Sequence, residues 1–386
     1  MKVALLGLGQ AGGKIVDAFL EYESRTGTDF VVSALAINTA RADFQGLDLV
    51  PEDRRVLIGQ DRVSGHGVGA DNDLAADIAA DDVDQITGAL DGIPVHELDA
   101  FLLVAGLGGG TGSGAGPVIA RQLQRTYAVP VYGLGILPAS DEGAIYTVNA
   151  ARSLRSYAPE TDALLLFDNE AWRTAGETVQ EGYDAINEEL VRRFGVLFSA
   201  GELGADAGAA QSVVDSSEII NTLDGVSTVG YATSEIDQQG PGLLSRFQEG
   251  DEPGVERGRA TNRITSLVRQ ATLGQLTMPC DPAGTGRALV VVSGPPEHLS
   301  RKGIERGRTW LEEELGTAEV RGGDYPLPEE DRIAVTVLLS GVTDAERIES
   351  LKSAAVDAKE VAETDTREED SGVDELLEDD ELDTLL

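Results

Sequence analysis

The glycine-rich segment at residues 106–117 offers the clearest chemistry in the sequence. It directly follows the apolar run at residues 100–105, which is typical of a buried strand, and it precedes residues 118–123, which have helical spacing. Because glycine lacks a Cβ atom, several backbone N–H groups can point at one anion, and the N-terminus of the following helix adds its dipole. The segment therefore predicts a phosphate-binding loop, and it leaves open which nucleotide or other phosphorylated ligand binds there.

Two further glycine-rich segments follow predicted strands. Residues 7–13 come after a strand predicted at residues 3–6, and residues 65–72 come after a strand predicted at residues 54–58. Because the carboxyl ends of parallel strands lie at one edge of a sheet, we expect the three glycine loops to converge there. Three converging loops favour a polyphosphate that is bound along its length.

The first glycine loop is similar to two standard nucleotide motifs but completes neither. The spacing Gly-x-Gly-x-x-Gly at residues 7–12 is that of the dinucleotide-binding fingerprint, which favours an NAD-dependent oxidoreductase. That fingerprint also needs an acidic residue at the end of the second strand, where this chain has Asn38. Residues 9–14 fall one residue short of a P-loop, and Ile15 replaces the hydroxyl that would bind magnesium. The NAD hypothesis remains as an alternative.

Strands and helices alternate along the first half of the chain. Apolar runs predict six strands, at residues 3–6, 31–37, 54–58, 100–105, 129–137 and 163–167. A helix is predicted between the last two, near residues 146–157. This alternation, with the glycine loops on one edge, is typical of an α/β fold with a Rossmann-like, doubly wound parallel sheet.

A long amphipathic helix is predicted at residues 178–200, where apolar residues are spaced three and four apart. At about 1.5 Å per residue it would extend roughly 35 Å, so we interpret it as a spine between two domains. Beyond it the sequence predicts a loop-rich region that includes a polar, mobile loop at residues 240–258. A smaller α/β unit follows, with helices at 261–273 and 302–315 and strands at 288–292 and 333–339.

The charge of the chain is extreme. There are 30 Lys and Arg residues against 68 Asp and Glu residues, which gives a net charge of -38 over 386 residues. Such a surface repels nucleic acid and anionic membranes, and its self-repulsion would destabilise a compact fold at low salt. Because the acids are spread along the whole chain, the composition predicts a protein adapted to molar salt that does not bind nucleic acid.

Cysteine and histidine usage excludes two further classes of site. Cys280 is the only cysteine, and the three histidines are scattered, so neither an intramolecular disulfide nor a zinc site is expected. No apolar run is long enough to span a membrane, and residues 1–6 lead directly into the first glycine loop, as a strand would. We therefore expect a cytoplasmic protein without direct membrane insertion.

The chain ends in an acidic segment. From about residue 361 the apolar periodicity stops, and twelve acids accompany one base, Arg367. Residues 361–386 are therefore predicted to form a disordered acidic tail. Leucines recur among the carboxylates at residues 373–386, so the tail either stays solvated or docks on a partner protein as a short helix.

The third glycine loop also carries a family signature. Residues 108–114, Gly-Gly-Gly-Thr-Gly-Ser-Gly, resemble the signature of the tubulin and FtsZ superfamily without a mismatch. Residues 9–12 are similar to the first tubulin loop, and residues 167–171 are similar to its base-recognition loop. Over about residues 1–355 the chain most resembles CetZ, the tubulin-like family of salt-loving archaea, which agrees with its charge.

This resemblance implies the tubulin/FtsZ fold and a division of the chain into four parts. These are a GTP-binding domain at residues 1–177, a central helix at 178–200, a C-terminal α/β activation domain at 201–360 and the acidic tail at 361–386. The resemblance also implies GTP or GDP as the ligand, together with Mg²⁺, for which no protein ligand can be named.

The resemblance assigns the phosphates to the three glycine loops. The first loop contacts the α- and β-phosphates through Gly9, Gln10, Ala11 and Gly12. The loop after the third strand senses the γ-phosphate through Gly69, Ala70, Asp71 and Asn72. The signature loop wraps the β- and γ-phosphates through Gly108, Gly109, Gly110, Thr111, Gly112 and Ser113.

The base and the ribose are assigned in the same way. Glu142 lies in the family's ribose loop, Asn169 and Asn187 would bind the guanine edge, and Tyr183 would stack on its face. An amide offers both a donor and an acceptor, and Tyr183 and Asn187 are four residues apart on one helix face. Spacing alone favours a different interpretation, in which Tyr183 is core packing and Asn187 is a solvated helix residue.

Asp215 and Glu218 have two interpretations. An Asp or Ser N-cap with Glu near the third helical position resembles a capping box and would start a helix near Ser217. The pair also looks like the Asp-x-x-Glu of tubulin's synergy loop, here near residues 213–218, which one subunit inserts into the nucleotide site of the next. That resemblance implies catalysis in trans, with Glu218 as the principal residue and Asp215 assisting. Both roles can coexist.

Together these observations predict a GTP-hydrolysing cytoskeletal protein that assembles head to tail into protofilaments and controls cell shape. One alternative within the superfamily is an FtsZ-like role in cell division. Another is a nucleotide-gated scaffold that does not hydrolyse GTP and whose tail recruits partners. A remote alternative is the NAD-dependent oxidoreductase.

Overall fold

The computed structural model describes residues 1–173, 179–202, 214–236 and 253–356. Within these residues the strands form a single sheet. In chain order they are β1 (Val3–Leu8), β2 (Val31–Asn38), β3 (Arg55–Leu57), β4 (Ala100–Gly106), β5 (Val131–Leu137), β6 (Ala163–Asp168), β7 (Gly225–Glu235), β8 (Arg287–Gly294), β9 (Val320–Pro326) and β10 (Arg332–Ser340).

Helices connect most of these strands. In chain order they are α1 (Gly9–Thr26), α2 (Gln60–Val63), α3 (Asn72–Asp81), α4 (Val83–Leu90), α5 (Thr111–Thr126), α6 (Ala144–Tyr157), α7 (Asn169–Trp172), α8 (Val179–Ala200), α9 (Ser216–Thr222), α10 (Pro253–Leu273), α11 (Arg301–Leu315) and the helical residues 346–356, here α12.

The sheet runs in the order β3-β2-β1-β4-β5-β6-β7-β10-β8-β9. Its first six strands pair in parallel and have the order of a Rossmann-type sheet. β7 continues in parallel beside β6, β10 is antiparallel to both of its neighbours, and β8 and β9 are again parallel. All strands except β10 therefore end at one edge, here called the carboxyl edge, and begin at the opposite amino edge.

Three apolar clusters hold the helices against this sheet. Successive residues of β1 alternate between the two faces: Val3 and Leu5 pack with α1 and α8, whereas Ala4 and Leu6 pack with α3, α4 and α5. Because both faces are covered, β1 is buried over its whole length, as expected for a parallel strand. A third cluster packs α10 and α11 on the strands from β7 to β9.

The predicted Rossmann-like parallel sheet and the long helix are confirmed, and α8 covers 22 residues. Two predictions for the second half were wrong. The region after residue 200 was expected to be loop-rich, but besides the helix expected near Ser217, here α9, it contains the strand β7, which was not predicted. The predicted mobile loop overlaps α10 at residues 253–258, while its residues 240–252 lie outside the described residues, as does the predicted acidic tail.

The strand β9 was also missed, and its sequence explains why. Its segment Val-Arg-Gly-Gly-Asp-Tyr-Pro has the composition of a turn, yet every residue except Arg321 is buried. Gly322 fits because a Cβ atom there would come within 3.0 Å of the Val290 carbonyl oxygen of the neighbouring strand. Close packing between strands therefore overrides the local preference of the glycines.

Candidate functional site

A cavity of about 610 Å³ opens at the carboxyl edge, between the loops after the first six strands, β1 to β6, and the N-terminal part of α8. Most of the predicted nucleotide-binding residues line it. These are Gly9, Gln10, Ala11, Gly69, Ala70, Gly108, Gly109, Gly110, Thr111, Gly112, Glu142, Asn169, Tyr183 and Asn187.

Four of the predicted residues support the loops without lining the cavity. A Cβ atom at Gly12 would come within 2.1 Å of the Val104 carbonyl oxygen, so this glycine lets α1 pack directly on β4. Ser113 donates its hydroxyl to the Gly110 carbonyl oxygen at 3.1 Å, within the signature loop. Asp71 caps α3 by accepting from the Leu74 N–H at 2.9 Å, and Asn72 is the first residue of that helix.

Two helix N-termini form one end of the cavity. α1 begins at Gly9 directly after β1, and α5 begins at Thr111 after the signature glycines. Neither helix has a side-chain cap, and neither has an acidic residue in its first turn. Among the described residues, the first N–H groups of both helices therefore have no capping side chain, and both dipoles favour an anion in the cavity.

The loop after β3 closes against the signature loop. A Cβ atom at Gly110 would come within 2.5 Å of a Val68 methyl carbon and 3.1 Å of the Ala70 Cα atom, so only glycine allows this approach. Ala70 itself has a φ of 67°, in the left-handed region that a non-glycine residue seldom adopts. Such strain persists only where surrounding structure imposes it, and it is often found at functional sites.

The helix α6 braces both of these loops, a role that the sequence analysis missed. Asn149 is buried and donates its amide to the Ala70 carbonyl oxygen at 2.7 Å and to the Gly108 carbonyl oxygen at 3.1 Å. Tyr157 donates its hydroxyl to the Gly112 carbonyl oxygen at 2.6 Å. Asn149, Ser153 and Tyr157 are spaced four apart, so a polar stripe on one face of the predicted helix was the available signal.

The opposite end of the cavity carries amide side chains. Asn169 is 6% exposed, lines the cavity and has a buried Oδ1 atom for which the described residues provide no hydrogen-bond partner. Tyr183 and Asn187 reach the cavity from α8, one turn apart. Burial, and then the neighbouring Glu142 carboxylate, raises the pKa of the half-buried Tyr183 hydroxyl. Tyr183 lines the cavity and belongs to none of the three apolar clusters, which argues against the alternative that it is core packing.

The loop between β5 and α6 is fastened to α7. The Ser140 N–H donates to the Glu170 carboxylate at 2.6 Å, and this backbone hydrogen bond lowers the pKa of Glu170. Arg173, directly after α7, forms an ion pair with Asp141. Glu142 accepts from the Ala139 N–H at 2.7 Å within the loop. The predicted ribose loop and the predicted base-recognition residue therefore form one connected unit.

The cavity contains few positive charges. Lys14 is the only Lys or Arg among the described residues that line it, whereas Asp43, Glu142 and Asp184 also line it. Asn38, at the end of β2, donates to the Asp43 carboxylate at 2.9 Å. Among the residues that the structure covers, no group of three or more His, Cys, Asp or Glu could hold a metal ion.

Asp215 and Glu218 lie at the other edge of the sheet. They precede β7, which runs parallel to β6, so they sit at the amino edge and the cavity at the carboxyl edge. The predicted cap is confirmed, because the Glu218 N–H donates to the Asp215 carboxylate at 3.0 Å. Burial, and then the charge of Asp215, raises the pKa of Glu218. A single chain does not bring this pair to the cavity.

No helix in the described ranges is both long enough and apolar enough to cross a membrane.

The structure places Asn38 at the end of β2, where the dinucleotide fingerprint requires a carboxylate.

Comparisons with known proteins agree with this geometry. Residues 2–176 match the GTPase domain of the tubulin/FtsZ family, and residues 176–357 match the C-terminal domain of tubulin-like CetZ. The chain is 60% identical over 367 residues to tubulin-like protein CetZ1 of Haloferax volcanii, and 93% of each chain is covered.

Two solved structures from Haloferax volcanii are similar over nearly the whole chain. A GDP-bound monomer of CetZ1 has a TM-score of 0.83 at 56% identity and covers 93% of this chain and 100% of that one. A GTPγS-bound protofilament of CetZ2 has a TM-score of 0.83 at 46% identity, with 94% and 100% covered. The fold, the signature loop and both halves of the sequence therefore match those of CetZ proteins, and the chain belongs to the CetZ family of tubulin-like proteins.

Proposed function

We propose that this protein binds GTP in the carboxyl-edge cavity, hydrolyses it and polymerises head to tail into protofilaments. One observation carries the proposal: a single cavity has two uncapped helix N-termini at one end and the unpartnered Asn169 Oδ1 atom at the other. The first feature suits a polyphosphate and the second suits a base with donors on its edge. The GDP and GTPγS in the two solved CetZ structures support this assignment.

Asn169 would select guanine through its side-chain oxygen. This atom is buried and has no donor among the described residues, which is costly unless a ligand supplies one. Guanine offers its N1–H and its 2-amino group, whereas adenine has no 2-amino group and carries an acceptor at N1. Tyr183 would stack on the base, and Asn187 would add a further amide contact from the same face of α8.

Magnesium would be held mainly by the phosphate oxygens and water, since the described residues offer no carboxylate cluster for it. It would neutralise charge on the β- and γ-phosphates. The protein's own contribution at this end is the backbone N–H groups of the glycine loops, which orient the phosphates.

Hydrolysis would require the next subunit. The Asp215 and Glu218 pair lies at the amino edge, so head-to-tail stacking of subunits brings it over the cavity of a neighbour. Glu218 would orient or deprotonate the attacking water, and Asp215 would assist it while capping α9. Such heterologous contacts do not close into a ring when the subunits translate along an axis, so filaments result.

Nucleotide titration and sedimentation in molar KCl test the proposal. We expect GDP and GTP to bind far more tightly than ADP or NADH, and we expect GTPγS to drive the protein into the pellet. Preference for NADH would support the oxidoreductase instead. Binding of GTP and polymerisation without phosphate release would support the non-hydrolysing scaffold.

We also propose a cytoplasmic role in cell shape, because the chain matches CetZ over both of its halves. The partner of the acidic tail stays a prediction, since residues 361–386 lie outside the described residues. Imaging of cells that lack this protein distinguishes a role in cell shape from a role in cell division. Altered shape with normal division supports the proposal, and a division block supports the FtsZ-like alternative.

A further inference from the structure

Arg347 connects α12 to the base end of the cavity. It lies in α12, yet its guanidinium reaches the carboxyl ends of two central strands. Its Nε atom donates to the Asp168 carboxylate at 3.1 Å, at the end of β6. Its Nη2 atom donates to the Pro138 carbonyl oxygen at 2.5 Å, just after β5. One side chain therefore bridges the two strand ends that flank the base end of the cavity.

The bridge is largely sheltered from water. The Arg347 side chain is 15% exposed and the Asp168 side chain is 3% exposed. Burial raises the pKa of Asp168, and the Arg347 charge opposes that shift. Because a buried carboxylate needs a counter-charge, loss of the guanidinium would leave Asp168 without its ionic partner.

α12 provides a firm base for the bridge. Leu351 is fully buried, and Ile348 packs against the same apolar cluster, which also contains Met278 and Leu164 of β6. The chain before the helix is fastened by the Thr343 N–H, which donates to the Gly284 carbonyl oxygen at 2.9 Å. The Arg347 guanidinium is thus anchored by a helix that packs on the face of the sheet opposite to α8.

Both acceptors of the bridge lead directly to the base end of the cavity. Asp168 precedes Asn169 and caps α7 by accepting from the Glu170 N–H at 3.3 Å. Pro138 lines the cavity and begins the loop that Glu170 holds through the Ser140 N–H. A displacement of either strand end would therefore move the Asn169 side chain relative to the base.

We propose that Arg347 is a positioning residue for guanine selectivity, which it exerts by fixing the two strand ends that carry Pro138 and Asn169. The proposal rests on the function proposed above. It assigns to α12, remote in sequence from the glycine loops, an indirect influence on which base the site accepts.

The test compares GDP with IDP, which lacks the 2-amino group, by competition against a fluorescent GDP analogue in molar KCl. The variants are Arg347→Met and Arg347→Lys in the full chain. Lys352→Met is the matched control, because it removes one charge from the exposed face of the same helix. We expect Arg347→Met to lower the GDP-over-IDP preference about tenfold, since a misplaced acceptor loses its hydrogen bond to the 2-amino group.

Arg347→Lys is expected to lose part of the preference, because one ammonium cannot reproduce the planar two-acceptor geometry. If Arg347→Met does not fold, the GDP-over-IDP preference of Arg347→Lys is the measurement that tests the inference. Lys352→Met should keep the wild-type preference. A folded Arg347 variant with unchanged preference, even with a lower melting temperature, would overturn the inference. Equal binding of GDP and IDP by the wild-type protein would also overturn the inference, whereas failure of the wild-type protein to bind the fluorescent GDP analogue would overturn the proposed function itself.

Discussion

Glu218 shows how one short motif can serve both the fold and the proposed chemistry. Its backbone N–H is bound by the Asp215 carboxylate, which starts α9, while its own side chain stays half-buried and available. The sequence could predict this cap because capping depends on residues three apart. It could not predict where the pair lies relative to the cavity, which depends on the direction of β7.

We expect Glu218→Ala to bind GTP with nearly wild-type affinity and to hydrolyse it at least about a hundredfold more slowly, since a positioned acid or base contributes at least that factor. Glu218→Gln is the matched variant, because it keeps the size of the side chain and removes the charge. Single-turnover phosphate release measures both. Wild-type rates in either purified variant would exclude the proposed role.

The same residue predicts the acid side of the pH profile. Burial and Asp215 raise the pKa of Glu218 above its ordinary value of 4.5, so its carboxylate is protonated at a higher pH than usual. Turnover should therefore fall as the pH drops through this raised pKa, while GTP binding persists. The residual turnover of Glu218→Ala should lack this decline. A parallel decline in the variant would assign the titration to another group.

The base-binding end of the cavity shows which individual residues can be predicted from the sequence and which cannot. Asn169, Tyr183 and Asn187 were identified from the family resemblance, and the structure brings them to one cavity wall. Arg347 was not identified, because its partner Asp168 is 179 residues away in the chain. No local pattern reports a contact of that kind.

At the scale of elements, the glycine loops depend on α6 for their arrangement. The sequence predicted the loops because glycine composition is a local property. It did not assign α6 a role, because hydrogen bonds from Asn149 to two separate loops arise only when those loops converge. The same reason explains why β7 and β9 were missed: both are defined by their neighbours in the sheet.

Asn149→Ala tests this brace. Loss of the amide leaves two carbonyl oxygens unpaired, so we expect the free energy of unfolding to fall by about 1–3 kcal/mol. GDP affinity should weaken about tenfold, because the phosphate loops lose their common anchor. Denaturant unfolding and GDP titration measure these effects.

Ser156→Ala is the control for the brace. The Ser156 hydroxyl donates to the Arg152 carbonyl oxygen on the exposed face of the same helix. This variant should retain GDP affinity and lose little stability. If Asn149→Ala binds GDP as tightly as this control, α6 does not position the loops.

At the scale of the whole molecule, the net charge of -38 determines the conditions under which the fold and the filament are stable. The Debye length is about 3 Å at 1 M salt and about 10 Å at 0.1 M, so dilution of salt exposes self-repulsion within and between subunits. We expect the melting temperature and the sedimented fraction with GTPγS both to fall when KCl is reduced from molar to tenth-molar. An unchanged melting temperature and an unchanged sedimented fraction would contradict the predicted destabilisation by self-repulsion at low salt.

The cavity and the Asp215–Glu218 pair lie at opposite edges of one sheet, so a catalytic role for the pair requires two molecules. The most direct test measures GTP turnover per subunit against protein concentration in molar KCl. The account predicts that turnover per subunit rises with concentration to a plateau as subunits associate, and that Glu218→Ala stays low throughout. Turnover per subunit that is the same at every concentration would contradict a site shared between neighbours.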